Sequence, residues 1–232
     1  MEYYDGTVAL EGFYAFDSKV EFKRPLVLVC HDWSGCNEFA HHKAEKLAEL
    51  GYVGFALDMY GKGQLGKTAE EKMALMKPFM DDRALLRKRI FAALDAARKL
   101  EMVDTKQIGA IGFCFGGLCA LDLARSGTDL KGVVSFHGLL GAPDKLKKEK
   151  IHAKVLALHG YDDPMGPAQQ VSAFQKEMTD AGVDWQMNIY GNTKHAFTNP
   201  QAHDSASGLV YNALADRRSW FAMKDFFAEI FA

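Results

Sequence analysis

Residues 112–117 read Gly-Phe-Cys-Phe-Gly-Gly and lie between two apolar stretches, the first of which ends at Ile111. Read as strand, sharp turn and helix, they form a nucleophile elbow with cysteine in place of the usual serine. Such a turn holds its central residue, here Cys114, in a strained backbone conformation. A side chain at Gly112 or Gly116 would clash with the neighbouring strand or helix. The pattern therefore predicts a thiol nucleophile at the end of a strand.

Two further motifs follow, in the order nucleophile, acid and histidine that α/β-hydrolases use. Residues 160–167 read Gly-Tyr-Asp-Asp-Pro-Met-Gly-Pro, and residues 194–197 read Lys-His-Ala-Phe. Asp162 and Asp163 compete as the acid, and the spacing between the glycine and a helix start near residue 167 favours Asp163. The histidine is His195. The sequence therefore predicts a thiol hydrolase with an α/β-hydrolase fold.

The composition is that of an ordinary globular protein. Of 232 residues, 48% are hydrophobic and 25% charged, with a formal net charge of −2, which suits one α/β domain over residues 1–232. Without a basic cluster or a long apolar stretch, we expect neither a nucleic-acid nor a membrane partner. The N-terminus lacks the features of a secretory signal, so the four cysteines are expected to be reduced thiols of a cytoplasmic protein. No cluster has metal-site spacing, and we expect neither a metal nor a cofactor.

Short apolar runs alternate with helical patterns along the chain. This alternation predicts a doubly wound, mostly parallel, twisted sheet with helices on both faces. Ahead of the main runs, residues 7–16 alternate in polarity and are expected to form an antiparallel edge hairpin with residues around 19–22. The strands predicted for the main sheet are residues 26–30, 53–57, 108–112, 132–136, 155–159 and 185–190.

Several predicted helices have recognisable ends. Asn37 is a candidate N-cap for a helix that stops at Gly51. Thr68 and Glu71 form a capping box for a short helix that ends near Pro78. Further helices are expected over residues 82–100, 167–182 and 220–230.

Chemically suggestive side chains follow the predicted strands, at the edge where ligand sites of such sheets lie. A helix that begins near Phe115 would stabilise a Cys114 thiolate with its N-terminal dipole. His195 would take up and return the proton, and Asp163 would orient the imidazole. In chain order the strand-end residues are His31, Asp32, Trp33, Asp58, Tyr60, Cys114, His137, Asp163 and His195.

An oxyanion hole needs two backbone N–H donors that point at the developing negative charge. Phe115 is expected to supply one. The loop after residues 26–30 is expected to supply the other, from Trp33 or Ser34. Asp32, in the same loop, has two interpretations: it hydrogen-bonds the resting thiol, or it caps the loop. The aromatic residues expected to line the pocket are Trp33, Tyr60, Phe79, Phe115 and Phe197.

Together these motifs resemble the dienelactone hydrolase family of α/β-hydrolases. Residues 31–35 (His-Asp-Trp-Ser-Gly) and 57–61 (Leu-Asp-Met-Tyr-Gly) also match that family, and the resemblance covers nearly the whole chain. It implies hydrolysis of a lactone or ester in the cytoplasm, without a cofactor. The residues that it assigns are Cys114, His195 and Asp163 for the triad, with the N–H groups of Trp33 and Phe115 for the oxyanion hole.

Two positions depart from the family pattern. The founding members carry a glutamate that contacts the resting cysteine, and Asp32 stands in that position here. They also carry an arginine four residues after the histidine, which binds the substrate carboxylate, and that position is Asn199 here. Arg83 and Arg87 are the remaining cations that could approach the pocket, although a solvated helix face is the favoured interpretation of both. Because a charge-assisted contact is missing, we expect uncharged or aromatic esters to be better substrates than dienelactone.

Two other activities are compatible with the same residues. One is acyl or thioester transfer to an acceptor other than water, and the other is slow attack on neutral phosphate triesters. A binding module without activity is disfavoured, because it would have no reason to keep a strained elbow. We therefore expect a small-molecule ester or lactone as the partner, and a monomer or homodimer.

Overall fold

The computed structural model describes residues 1–144, 146–147 and 149–232. The strands are β1 (Glu2–Asp5), β2 (Val8–Glu11), β3 (Phe13–Ala15), β4 (Arg24–Cys30), β5 (Val53–Leu57), β6 (Val103–Phe113), β7 (Gly132–Phe136), β8 (Lys154–Gly160), β9 (Trp185–Tyr190), β10 (His203–Asp204) and β11 (Leu209–Val210). The helices are α1 (Glu38–Glu49), α2 (Ala69–Asp81), α3 (Arg83–Ala97), α4 (Phe115–Arg125), α5 (Ala168–Asp180) and α6 (Ala213–Ile230).

The main sheet has seven strands in the order β3-β5-β4-β6-β7-β8-β9. Neighbouring strands pair in parallel except at one edge, where β3 is antiparallel to β5. Each predicted core strand lies in this sheet, although β6 starts earlier than expected, at Val103. The predicted α/β class with a mostly parallel sheet is thus confirmed. Because β6 lies between β4 and β7, the residue after it is surrounded by the loops of the neighbouring strands.

Helices cover both faces of the sheet. Val27 and Val29 of β4 belong to a core with α1 and α6. Leu26 and Leu28 of the same strand belong to a second core with α3, α4 and α5. Successive side chains of a strand point to opposite faces, and both faces are buried here. This explains why residues 26–30 are apolar throughout.

The predicted edge hairpin is partly wrong. β3 is an antiparallel edge strand, but its partner is β5, and β1 pairs with β2. Residues 17–23 form turns and bends instead of a strand. The cause is Arg24, whose buried guanidinium donates hydrogen bonds to the carbonyl oxygens of Asp17, Val20 and Phe22. Carbonyl groups gathered around one side chain do not accept hydrogen bonds from a neighbouring strand.

Both predicted N-terminal caps are present, whereas the C-terminal helix α6 begins at Ala213, earlier than the expected residue 220. The Asn37 side chain caps α1, and Thr68 and Glu71 form a reciprocal capping box at α2. The expected end of α2 is corrected, because the helix continues past Pro78. The proline removes the N–H that would bind the carbonyl oxygen of Ala74, but both residues are exposed. Water can therefore hydrogen-bond that carbonyl group, and the helix is not interrupted.

Candidate active site

The turn between β6 and α4 is a sharp elbow. Cys114, between the two elements, has a backbone φ angle of 55°, a value that residues other than glycine rarely adopt. A Cβ atom at Gly112 would lie 1.9 Å from the carbonyl oxygen of Gly116. A Cβ atom at Gly116 would lie 2.0 Å from the carbonyl oxygen of Cys30 in β4. Both distances are far below van der Waals contact, so glycine is required on each side of the cysteine, as the sequence predicts.

Asp163 and His195 lie in the loops that follow β8 and β9. Nδ1 of His195 is 2.8 Å from Oδ2 of Asp163, and both side chains are buried. The other carboxylate oxygen of Asp163 accepts the N–H of Met165 at 2.8 Å, which fixes the loop. Asp162 is exposed. The geometry therefore favours Asp163 over Asp162 as the partner of His195.

The two ring nitrogens of His195 have different surroundings. Nδ1 faces Asp163, whereas Nε2 has no well-oriented hydrogen-bond partner among the described residues, and His195 shares a pocket with Cys114. Burial lowers the pKa of His195, but the charge of Cys114 and the hydrogen bond with Asp163 outweigh burial and raise that pKa to about 10. A raised pKa favours the protonated form of the His195 imidazole.

Two backbone N–H groups beside Cys114 are free to bind an oxyanion. Phe115 is the first residue of α4, where N–H groups have no intrahelical acceptor. The Trp33 N–H has no acceptor within the described residues. The Ser34 N–H donates to Oδ1 of Asp32 at 2.8 Å. This bond favours Trp33 over Ser34 as the second donor, and it assigns Asp32 a loop-capping contact.

These groups open into a cavity of about 240 Å³. Cys114 and His195 form part of its wall, together with Asp32, Trp33 and Asn199. Four other cavities along the described residues, of about 250 to 580 Å³, contain neither Cys114 nor His195. The candidate nucleophile and base therefore line one of the smaller cavities, and cavity volume alone would not identify the site.

Three of the expected substrate-binding residues pack behind this cavity and do not line it. The Tyr60 hydroxyl donates to the carbonyl oxygen of Trp33 at 3.1 Å. The Tyr60 ring stacks on Phe115, and Phe79 packs beside both rings. Phe197 is fully buried. Tyr60 and Phe79 thus pack behind the oxyanion loop, and Phe197 packs against His137 and Tyr190. This corrects the expectation that the three rings line the cavity.

Arg83 also lies away from the cavity. Its Nε atom donates to Oδ2 of the fully buried Asp122 in α4, at 2.6 Å. Arg87 lines a different cavity. The expectation that Arg83 binds substrate is therefore corrected, because its charge is engaged by Asp122. Asn199 does line the site, but its side-chain oxygen accepts the N–H of Gln201.

A second wall of the cavity consists of residues that no sequence motif indicates. Nζ of Lys72, in α2, lies 5.5 Å from the centre of the Trp33 ring. The capping box shows where α2 begins, but the face of α2 that covers the site depends on packing against distant parts of the chain. The strands β10 and β11 are too short for periodicity to reveal. The residues that these elements contribute are Lys72, Met73, Met76, His203, Asp204 and Leu209.

The other three cysteines are poor nucleophile candidates. Cys30 and Cys119 lie in the core, and burial raises the pKa of the Cys30 thiol to about 12. Burial also raises the pKa of Cys36 to about 12, and its side chain lines another cavity. Across the described residues, no group of three or more His, Cys, Asp or Glu side chains is arranged to hold a metal ion. No helix in that part of the chain is long and apolar enough to cross a membrane.

Comparisons with known proteins show which proteins the chain is similar to. The chain matches the profile of the Dienelactone hydrolase family over residues 10–231. It is 37% identical over 155 residues to Uncharacterized protein K02A2.1 of Caenorhabditis elegans, covering 66% of this chain and 98% of the relative. An Aquifex aeolicus protein whose name proposes carboxymethylenebutenolidase activity is 28% identical, covering 88% of this chain and 87% of the relative. Among solved structures, the dienelactone hydrolase-like promiscuous phosphotriesterase P91 from metagenomic libraries has a TM-score of 0.93 and 38% identity, covering 100% of this chain and 97% of that one.

Proposed function

Because the chain belongs to the dienelactone hydrolase family, and is therefore a hydrolase, we propose that it cleaves small carboxylic esters or lactones with Cys114 as the nucleophile. One observation supports this proposal above the others. His195 binds Asp163 through Nδ1 at 2.8 Å and has its Nε2 atom free, in the cavity that Cys114 lines. A nucleophile, a base and a group that orients the base are the minimum requirement for covalent hydrolysis.

In the first half of the proposed reaction, the Cys114 thiolate attacks the carbonyl carbon and a C–S bond forms. The carbonyl electron pair moves to the oxygen, where the N–H groups of Trp33 and Phe115 stabilise the negative charge. When the tetrahedral intermediate collapses, the C–O bond to the leaving group breaks. The His195 imidazolium donates its Nε2 proton to the departing alkoxide. In a lactone this alkoxide stays attached to the acyl chain.

In the second half, neutral His195 takes a proton from water at Nε2, and the resulting hydroxide attacks the thioester carbonyl. Collapse breaks the C–S bond, releases the carboxylic acid and restores the thiolate–imidazolium pair. Asp163 stays ionised throughout and accepts the Nδ1–H, which holds the ring in the productive tautomer. No cofactor is required for any of these steps.

The charges around the cavity support a preference for uncharged or aromatic esters. Lys72 is a cation in the lining, and its ammonium lies over the Trp33 ring. Asp32 and Asp204 bring two carboxylates to the same lining. Apart from the proposed Cys114–His195 ion pair, whose charges cancel, a substrate carboxylate would therefore meet two like charges for one opposite charge. An apolar acyl group would instead contact Trp33 and the methionines of α2.

Ester hydrolysis by the wild type and by Cys114→Ala tests the proposal. We expect the wild type to hydrolyse p-nitrophenyl esters with short or aromatic acyl groups. Cys114→Ala should lose several orders of magnitude in turnover, as enzymes that lose a covalent nucleophile do, while circular dichroism and Tm stay unchanged. Turnover at the wild-type rate in Cys114→Ala would contradict the proposal.

A second activity, attack on neutral phosphate triesters, is favoured by the similarity to the promiscuous phosphotriesterase P91. The Cys114 thiolate would form an S–P bond while the P–O bond to an aryl leaving group breaks. Water would then cleave the S–P bond of the S-phosphorylated cysteine and restore the thiol. Release of p-nitrophenol from diethyl p-nitrophenyl phosphate, absent in Cys114→Ala, is the expected result. Inertness of the wild type toward this triester would contradict the second activity and leave ester hydrolysis standing.

Acyl transfer is the alternative use of the same intermediate. An added thiol or amine would intercept the acyl enzyme, and its acylated product would then exceed the free acid. We propose water as the acceptor, so the acid should dominate. The cytoplasmic location and the choice between monomer and homodimer stay predictions.

A further inference from the structure

His137 follows β7 and lies beside His195, although the reaction proposed above does not use it. Its ring meets the His195 ring edge-on, with the ring centroids 5.1 Å apart. It meets the Phe197 ring in the same manner at 5.0 Å. Nε2 of His137 shares a hydrogen bond of 2.8 Å with Oγ1 of Thr198. One buried side chain therefore contacts three of the four residues in the segment from His195 to Thr198.

The backbone of His137 is fixed to the sheet and to the elbow helix. It has a φ of 39°, and its N–H donates to the carbonyl oxygen of Leu158 in β8 at 2.8 Å. At the next residue, Gly138, a Cβ atom would lie 2.9 Å from Cα of Gly117 in α4. A strained backbone persists only where its surroundings enforce it. The His137 ring therefore projects from a backbone segment that is held in place on both sides.

The loop that this ring contacts has little regular structure of its own. Ala196, next to His195, has a φ of 58°. A single β-bridge between His195 and Leu209 is the ladder contact of this segment. The backbone is also held by the N–H groups of Asn199, Val210 and Asn212, which donate to the carbonyl oxygens of Ala196, His195 and Phe197. These bonds fix the chain and not the imidazole ring, whose orientation depends on side-chain contacts with Asp163 and His137.

His137 can provide this restraint without adding charge. Burial lowers its pKa well below the usual value, and the neighbouring His195, Lys43 and His159 lower it further. A second imidazolium next to His195 would repel the charged form of the proposed base. Neutral His137 instead adds a hydrogen bond to Thr198 and leaves the charge balance of the site unchanged.

We propose that His137 is a positioning residue, which holds the His195 loop through its ring contact and its bond to Thr198, so that Nε2 of His195 stays directed at Cys114. This inference rests on the proposed function and deepens it. A residue that only fills space would need its ring and not its ring nitrogen. A positioning residue needs the hydrogen bond as well, and this difference can be measured.

Four single variants and one double variant separate the two roles. His137→Phe keeps a ring and removes Nε2, Thr198→Val removes the other end of the same bond, and Thr198→Ser keeps it. Each of the first two should lower kcat by about 5- to 150-fold with little change in KM, the equivalent of ~1–3 kcal/mol for a buried group left unpaired. The double variant should lose no more than the worse single variant. Thr198→Ser should rescue activity, and Thr179→Val, a matched change in α5, should have no effect.

Alkylation of Cys114 by iodoacetamide gives a readout that needs no substrate. Iodoacetamide reacts with the thiolate, so its rate reports how well His195 is placed to take the proton of Cys114. The alkylation rate, followed by peptide mapping, should therefore fall in His137→Phe and Thr198→Val. If this occurs while the wild type hydrolyses no ester, the positioning role stands and the proposed function fails. If both variants alkylate and hydrolyse like the wild type and only Tm falls, the positioning role is overturned. If His137→Phe does not fold, Thr198→Val decides alone.

Discussion

Replacing Asp163 by asparagine should change both the rate of the enzyme and the pH range in which it works. The substitution removes the negative charge from the 2.8 Å hydrogen bond with Nδ1 of His195 and keeps the size of the side chain. In the intact site burial lowers the pKa of His195, while Cys114 and Asp163 raise it to about 10. A nearby opposite charge changes a pKa by about 1–3 pH units. Without it, the pKa of His195 should fall to between roughly 7 and 9.

The sign of the pH effect follows from the role of the imidazolium. His195 donates a proton to the leaving group, so activity is lost as the pH rises through the pKa of His195. The wild type should keep its kcat/KM until the pH approaches the His195 pKa of about 10. Asp163→Asn should begin to lose kcat/KM between about pH 7 and pH 9. At lower pH the kcat of the variant should also be lower by up to roughly 10⁴-fold. Losses of this size occur in other triads when asparagine replaces the aspartate, because the histidine then adopts the wrong tautomer.

A profile of kcat/KM against pH with one alkyl ester measures both effects, because this parameter reports the free enzyme and an alkoxide needs a proton in order to leave. Asp162→Asn is the matched control, since it makes the same chemical change at the exposed neighbour. The control should stay within about twofold of the wild type, as surface substitutions do. Equal losses in the two variants, or an unchanged alkaline limb in Asp163→Asn, would refute the reasoning.

Two further predictions concern the elbow and the cavity. In Gly116→Ala the new Cβ atom would lie 2.0 Å from the carbonyl oxygen of Cys30. Denaturant unfolding should show that the free energy of unfolding falls by ~1–3 kcal/mol. Hydrolysis should also be slower, because Phe115 and Cys114 must shift. Wild-type stability and activity in Gly116→Ala would show that the turn is not tightly packed. For matched lactones, the neutral one should have the higher kcat/KM, by about ten- to a hundredfold, because Asn199 offers no cation to a carboxylate. A higher kcat/KM for the charged lactone would direct attention to Lys72, and Lys72→Met would then be the variant to measure.

The parts of the structure that the sequence could predict are those with local causes. Gly112 and Gly116 are required by a turn of six residues, so the motif alone indicates the elbow. The Asn37 cap and the capping box at Thr68 are likewise contacts between near neighbours. The order of acid and histidine follows from the topology of parallel strands, and it correctly indicated that Asp163 and His195 meet.

The remaining features depend on contacts between distant segments. Arg24 donates hydrogen bonds to three carbonyl oxygens between residues 17 and 22. The alternation of polar and apolar residues in that stretch does not reveal these bonds. Arg83 was a reasonable cation for the pocket until the structure showed Asp122 beside it. Lys72 is a half-buried residue of α2, and it reaches the cavity because of how that helix packs. Helical periodicity gives the face of a helix, and tertiary packing determines what that face covers.

The central claim is that Cys114 carries the acyl group during turnover. Mixing the enzyme with a p-nitrophenyl ester, quenching with acid at increasing times and measuring intact mass, followed by peptide mapping, tests it directly. We expect one acyl group per chain, on the peptide that contains Cys114, to form as p-nitrophenol is released and to decay as the acid is produced. Cys114→Ala should show no acylated species. Formation of the acid with Cys114 unmodified at every time, or an acyl group on another residue, would contradict the account.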